Sequence, residues 1–168
     1  KNYKMKTLYE SLLDDFDDID KSFNPKQIIS DWILENTEIV RDLKISNKPN
    51  KDGKYEVSAF NVGVRNKSLT SLTNGVFVWK DIKNVFDCSF CTSLTSLEGA
   101  PEEVGGHFYC NDCDSLTSLK GAPKEVGDYF SCANCNSLKT LEGGPKEVGG
   151  DFSCNKCKKK QQKFLNWY

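Results

Sequence analysis

Residues 86–107 read FDCSFCTSLTSLEGAPEEVGGH, residues 108–129 read FYCNDCDSLTSLKGAPKEVGDY, and residues 130–151 read FSCANCNSLKTLEGGPKEVGGD: one 22-residue unit written three times without a break. The eight cysteines of the chain fall as four C-x-x-C pairs, Cys88/Cys91, Cys110/Cys113, Cys132/Cys135 and Cys154/Cys157. Phe86, Phe108, Phe130 and Phe152 stand two residues before the first cysteine of each pair, and Leu94/Leu97, Leu116/Leu119 and Leu138/Leu141 follow the second. Gly99, Gly121 and Gly143, then Pro101, Pro123 and Pro145, then Val104, Val126 and Val148 complete the framework. A fixed period of this length is the mark of a stacked solenoid, in which no single unit buries its apolar face alone.

Working outward, the repeat degenerates at both ends. Asn66-Lys-Ser-Leu69-Thr-Ser-Leu72 matches C-x-S-L-T-S-L with Asn66 in the place of Cys91, which makes it a divergent first repeat. Phe152-Ser-Cys154-Asn-Lys-Cys157 opens a last, truncated copy that runs into Lys158-Lys159-Lys160, and Phe164, Trp167 and Tyr168 are apolar enough to cap the end. Terminal repeats differ because one face lacks a neighbour. Before the repeats, Tyr55, Val57, Ala59, Val62 and Val64 read as strand, after a polar turn-rich stretch at 46–53. Asn24 as N-cap with Pro25 in the first turn predicts a helix running to about Asn36. Residues 1–22 space Leu8, Leu12, Phe16 and Ile19 among aspartates as an acidic amphipathic helix. The expected divisions are a helical segment over 1–45, a strand-rich connector with the degenerate repeat over 46–85, the solenoid over 86–157 and a cap over 158–168. The expected class is mainly β with a helical amino-terminal part, a parallel β-solenoid of four to five coils.

Composition narrows the function classes. A net charge of −1 on 168 residues argues against a protein whose main work is neutralising phosphates, so no nucleic-acid partner is expected. No apolar run is long enough to span a bilayer, no secretory signal pattern opens the chain, and no membrane partner is expected. The expected setting is the cytoplasm of a bacterial host cell, or association with a virion, with the thiols reduced.

The framework resembles the leucine-rich repeats, in the bacterial and phage form C-x-S-L-T-S-L with a following proline, valine and F-x-C, over about residues 60–157. The S-L-E-G-A-P and V-G-G wording is similar to units in proteins of gut bacteria and their bacteriophages. The resemblance implies a non-enzymatic interaction or structural protein with no cofactor. It departs from ordinary leucine-rich repeats in having Gly where a third strand leucine would fall and in lacking a long convex helix, so a slim β coil is expected. Each unit should supply two extended pieces, F-x-C and S-L-x-[ST]-L.

Three readings compete for the cysteines. Cys is among the most buried residue types, and the resemblance puts the second cysteine where an Asn or Cys bonds neighbouring backbone; Asn66 fits that role. C-x2-C pairs also have structural-zinc spacing, which would make Cys88, Cys91, Cys110, Cys113, Cys132, Cys135, Cys154 and Cys157 metal ligands. Redox catalysis needs an exposed pair with a depressed pKa, and four equivalent copies offer no such singular pair. No nucleophile, base and orienting group converge in the sequence, and His107 occupies a variable position, so no catalytic residue is assigned.

Strand alternation sends Phe and Cys of F-x-C inward and the intervening residue outward. Asp87, Tyr109, Ser131 and Ser153 should therefore form an exposed row, with Val85, His107, Tyr129 and Asp151 beside it. Variable residues on a rigid framework are how repeat proteins build binding surfaces, so a protein partner is expected there. The alternatives are a virion component or packaged passenger docked by the acidic first helix, and a zinc-stabilised binding module.

Overall fold

The computed structural model describes residues 24–156. The acidic amphipathic helix read over 1–22, Cys157 and the cap read over 158–168 lie outside the described residues. The described chain opens with helix α1 (Pro25–Asn36), started by Asn24, whose side-chain oxygen accepts from the backbone N–H of Lys26 at 3.1 Å and of Gln27 at 3.2 Å. Its end is sharp: Thr37 is extended, and its hydroxyl donates to Ile33 O at 2.6 Å, closing one of the last orphan carbonyls.

Strands β1 (Thr37–Arg41) and β2 (Lys44–Ile45) follow, so the segment over 1–45 is not helical throughout. Both pair antiparallel with β3 (Tyr55–Val64) and cover its outer edge, which would otherwise expose unpaired backbone groups. β3 then pairs in parallel with β4 (Phe77–Asp87), extending the coil back into the connector. Trp32 of α1 packs edge-on against Phe77 and Trp79, closing the amino-terminal end of the core with aromatic rings.

From β4 onward the sheet divides into two parallel ladders. One passes through β6 (His107–Tyr109), β8 (Phe130–Ser131) and β10 (Phe152–Ser153); the other through β5 (Glu103–Val104), β7 (Glu125–Val126) and β9 (Glu147–Val148). The result is a parallel β-solenoid of about four turns. The corner between the ladders is glycine because coils meet there backbone to backbone: a β carbon on Gly127 would lie 2.0 Å from Gly105 O. No helix among the described residues is long and apolar enough to cross a membrane.

The S-L-x-[ST]-L piece is not a strand. Leu116 and Leu119 are both fully buried, and in a strand residues three apart point to opposite faces. The chain turns instead, so that both leucines enter the core. Its backbone still bonds the next coil, as in Leu97 N to Lys120 O at 2.8 Å and Leu119 N to Glu142 O at 3.0 Å.

Inside, each framework residue lies on its own copy. Phe86, Phe108, Phe130 and Phe152 stack with centroids 5.7, 5.2 and 5.1 Å apart and nearly parallel planes. Columns of leucine, of Ile82 with the valines, and of cysteine fill the rest. Phe108 has a ring on both sides, so Phe108→Ala should lower stability by about 3–5 kcal/mol. Urea denaturation of variant and parent measures it; a loss below about 1 kcal/mol would mean the column is not a packed core.

Candidate interaction surface

The cysteines come first, because they decide which side chains remain for function. Each second cysteine among the described residues aims its thiol at a carbonyl of the preceding coil: Cys113 Sγ lies 3.3 Å from Cys88 O, Cys135 Sγ 3.1 Å from Cys110 O, and Cys91 Sγ 3.7 Å from Val64 O. First cysteines aim the other way, Cys88 toward Tyr109 O at 3.4 Å and Cys110 toward Ser131 O at 3.5 Å. The S–H group is a weak donor, and here it adds to the bonds made by carbonyls of the adjacent coil, two of which, Tyr109 O and Ser131 O, also accept from a cysteine backbone N–H. Asn66, at the same place in the first coil, does not bond a neighbouring backbone carbonyl: its side-chain amide donates to the side-chain oxygen of Asn36 at the end of α1 at 2.6 Å, and its own oxygen accepts from Ser68 N.

Burial pushes the thiols of Cys88 and Cys110 well above their ordinary value and raises Cys91 and Cys113 as well. A raised thiol is protonated at neutral pH and a poor nucleophile, the reverse of what redox catalysis requires. None of the seven described cysteines forms a disulfide. Among the described residues, no group of three or more His, Cys, Asp or Glu side chains is arranged to hold a metal ion.

The outward face of the first ladder is set by strand register. Ile39, Gly63, Asp87, Tyr109, Ser131 and Ser153 follow one another across six strands. Arg41, Asn61, Val85 and His107 run beside them, and the row continues to Tyr129 and Asp151 through the bonds Phe108 N to Tyr129 O and Phe130 N to Asp151 O. On this face His107 stacks on Tyr109 with centroids 5.8 Å apart, and the Tyr129 ring, tilted by 53°, also lies 5.8 Å from Tyr109. Asp128 Oδ2 is 3.6 Å from His107 Nδ1, beyond hydrogen-bond length, and that nitrogen has no hydrogen-bond partner. Partial burial raises the Tyr109 phenol, with Tyr129, Asp87 and Asp128 adding to the shift.

Ser131 departs from the expected exposed row. It is 3% exposed, because its small hydroxyl is drawn sideways into a bond with Asn111 Oδ1, which also accepts from Ala133 N at 2.9 Å. Ser153 is half-buried and Asp151 is exposed. Asp87 is also committed: it accepts from the Arg65 guanidinium and from Ser89 N.

Phe90 was missed in the sequence. The residue before the second cysteine has a left-handed backbone in every described copy, with φ of 64° at Phe90, 56° at Asp112, 60° at Asn134 and 63° at Lys156. Asp and Asn accept this conformation readily, whereas a bulky aromatic is an outlier. Phe90 is nonetheless 51% exposed, with the Arg65 guanidinium 6.0 Å from its ring centroid. An aromatic where sister repeats carry polar residues was the available signal.

The second ladder borders an open groove of about 1160 Å³. Glu103, Glu125 and Glu147 stand there in register on adjacent strands. Asp81 precedes them one strand earlier and is paired with Lys83 at 2.7 Å.

No family model matches this chain, and neither the curated proteins nor the solved structures contain a match.

Native protein treated with a thiol-specific chromogenic reagent should leave Cys88, Cys91, Cys110, Cys113, Cys132 and Cys135 unlabelled until denaturant is added; rapid labelling of any of them would contradict their burial. Burial raises the Asp87 carboxyl, but the bonds from Arg65 and Ser89 outweigh it and hold the group below its usual value. Its contribution to stability is therefore present above the unfolded carboxylate pKa of about 3.9 and lost as pH falls through the lower folded value. Between pH 6 and pH 3 the parent should lose more stability in urea melts than Asp87→Asn, and equal losses would remove the carboxylate from the account.

Proposed function

We propose that this chain is a non-enzymatic interaction protein, a leucine-rich-repeat-like solenoid of the phage-encoded kind acting in a bacterial host cell, and that the outward face of the first ladder holds its partner protein. The observation that carries the reading is Phe90. An exposed aromatic ring in a left-handed conformation lowers stability, and Asn or Asp, which sister coils use, would relieve the strain. Residues that trade stability in this way cluster where binding is done.

The rest of the face agrees in character. Tyr109, Tyr129 and His107 put amphipathic rings together at the middle of a rigid sheet, and Tyr is among the residues that dominate interface energetics. Ile39, at the far end of the same row, is 56% exposed. The inward residues repeat from coil to coil whereas these do not, which is the division of labour of a repeat protein that binds.

Phe90→Asn should raise stability by up to about 1 kcal/mol, the strain relieved, while weakening partner binding. Tyr109→Ala with Tyr129→Ala should abolish binding with the fold intact. The parent and both variants are immobilised, the proteins each retains from bacterial lysate are compared by mass spectrometry, and thermal melts are recorded alongside. Proteins retained by the parent and lost from both folded variants support the reading; identical retention on all three would place the binding face elsewhere.

A further inference from the structure

We infer that the partner presents an arginine or lysine side chain to the Tyr109/Tyr129 pair, its charge met by Asp128 and Asp151. This rests on the proposed use of the face and names the chemistry that would occupy it.

The first coils already contain the arrangement. Arg65 sets its guanidinium against the Phe90 ring and bonds the Asp87 carboxylate, so aromatic, carboxylate and cation are supplied by one chain. At the start of the sheet, Arg41 lies over Phe60 at 5.4 Å. Further along the ladder the aromatic and acidic parts recur. Tyr129 sits 5.8 Å from Tyr109, Asp128 immediately precedes Tyr129, and Asp151 is the next residue in the same row. Here no lysine or arginine among the described residues pairs with Asp128 or Asp151, and His107 Nδ1 lies beyond hydrogen-bond length of Asp128.

Charge points the same way. Asp87, Asp128 and Asp151 lie on or beside this stretch, and of the three Arg65 pairs with Asp87, its other partner being Glu38. The Tyr109 phenol is raised by burial first, then by Tyr129, and Asp87 and Asp128 add to the shift in the same direction. A cation placed over a tyrosine ring gains from the ring quadrupole and from the carboxylates together, whereas a neutral side chain of equal shape gains from neither. A planar guanidinium suits the site best, because it stacks and bonds a carboxylate at once.

The test is an NMR titration of the full chain, labelled with nitrogen-15. The probes are the peptide acetyl-Gly-Arg-Gly-Arg-Gly-amide and the same peptide with citrulline for arginine, which keeps the shape and removes the charge. Amide shifts centred on residues 107–109 and 128–130, with citrulline weaker by about fivefold or more, are expected. Asp128→Asn with Asp151→Asn should erase that preference, and the spectrum itself reports whether the variant is folded. Equal shifts from both peptides would overturn the cation inference and leave the binding face standing. Shifts absent from the face would overturn an arginine-bearing partner. In those cases the retention experiment with Phe90→Asn still decides the face independently.

Discussion

Every inward side chain in the repeats has to pack against its own copy one coil away. Parallel strands stacked about 4.8 Å apart place equivalent residues directly beside each other, and that spacing selects the residue types. Phenylalanine meets it with nearly parallel rings 5.1 to 5.7 Å apart. Leucine and valine meet it by dispersion. A buried charge could not, because like charges in register repel and have no water to screen them.

The same constraint explains the cysteines. The turn inside C-x-x-C leaves carbonyls facing a neighbouring coil at a distance where a small, weakly donating side chain is useful. Cys fills the space as an apolar residue and turns its S–H toward the carbonyl, as Cys113 and Cys135 do. Asn66 shows the rule by exception. Its neighbour is the end of α1 and not another coil, and a stronger hydrogen-bonding side chain stands there. The tight backbone approach at Gly105 and Gly127 belongs to the same geometry, since coils this close leave no room for a β carbon at the corner.

Outward side chains escape the constraint and can differ from coil to coil. Tyr109 stands between Asp87 and Ser131, and His107 between Val85 and Tyr129. Glu103, Glu125 and Glu147 are a contrast, three like charges kept in register on the rim of the second ladder, where water screens them. The amino-terminal end abandons the period altogether. β1 and β2 cover the edge of β3, and Trp32, Phe77 and Trp79 close the core with edge-to-face contacts that need no repeat.

By itself the sequence determined the solenoid, its 22-residue pitch, the inward framework residues and the helix from Pro25 to Asn36, because period, alternation and capping are local or self-referring signals. It also indicated which residues share the outward rows, since register in a regular stack follows from the repeat length. Only the tertiary structure decided that S-L-x-[ST]-L turns and is not a strand, that β1 and β2 follow the helix, that Ser131 is covered, and that Phe90 is exposed in a strained conformation. Those outcomes depend on contacts between coils: two leucines three residues apart competing for one core, an edge that must be paired, a hydroxyl captured by Asn111, and a turn whose handedness comes from the carbonyls it must satisfy. Such contacts have no signature within a single 22-residue unit, because they form only when one unit is laid on the next.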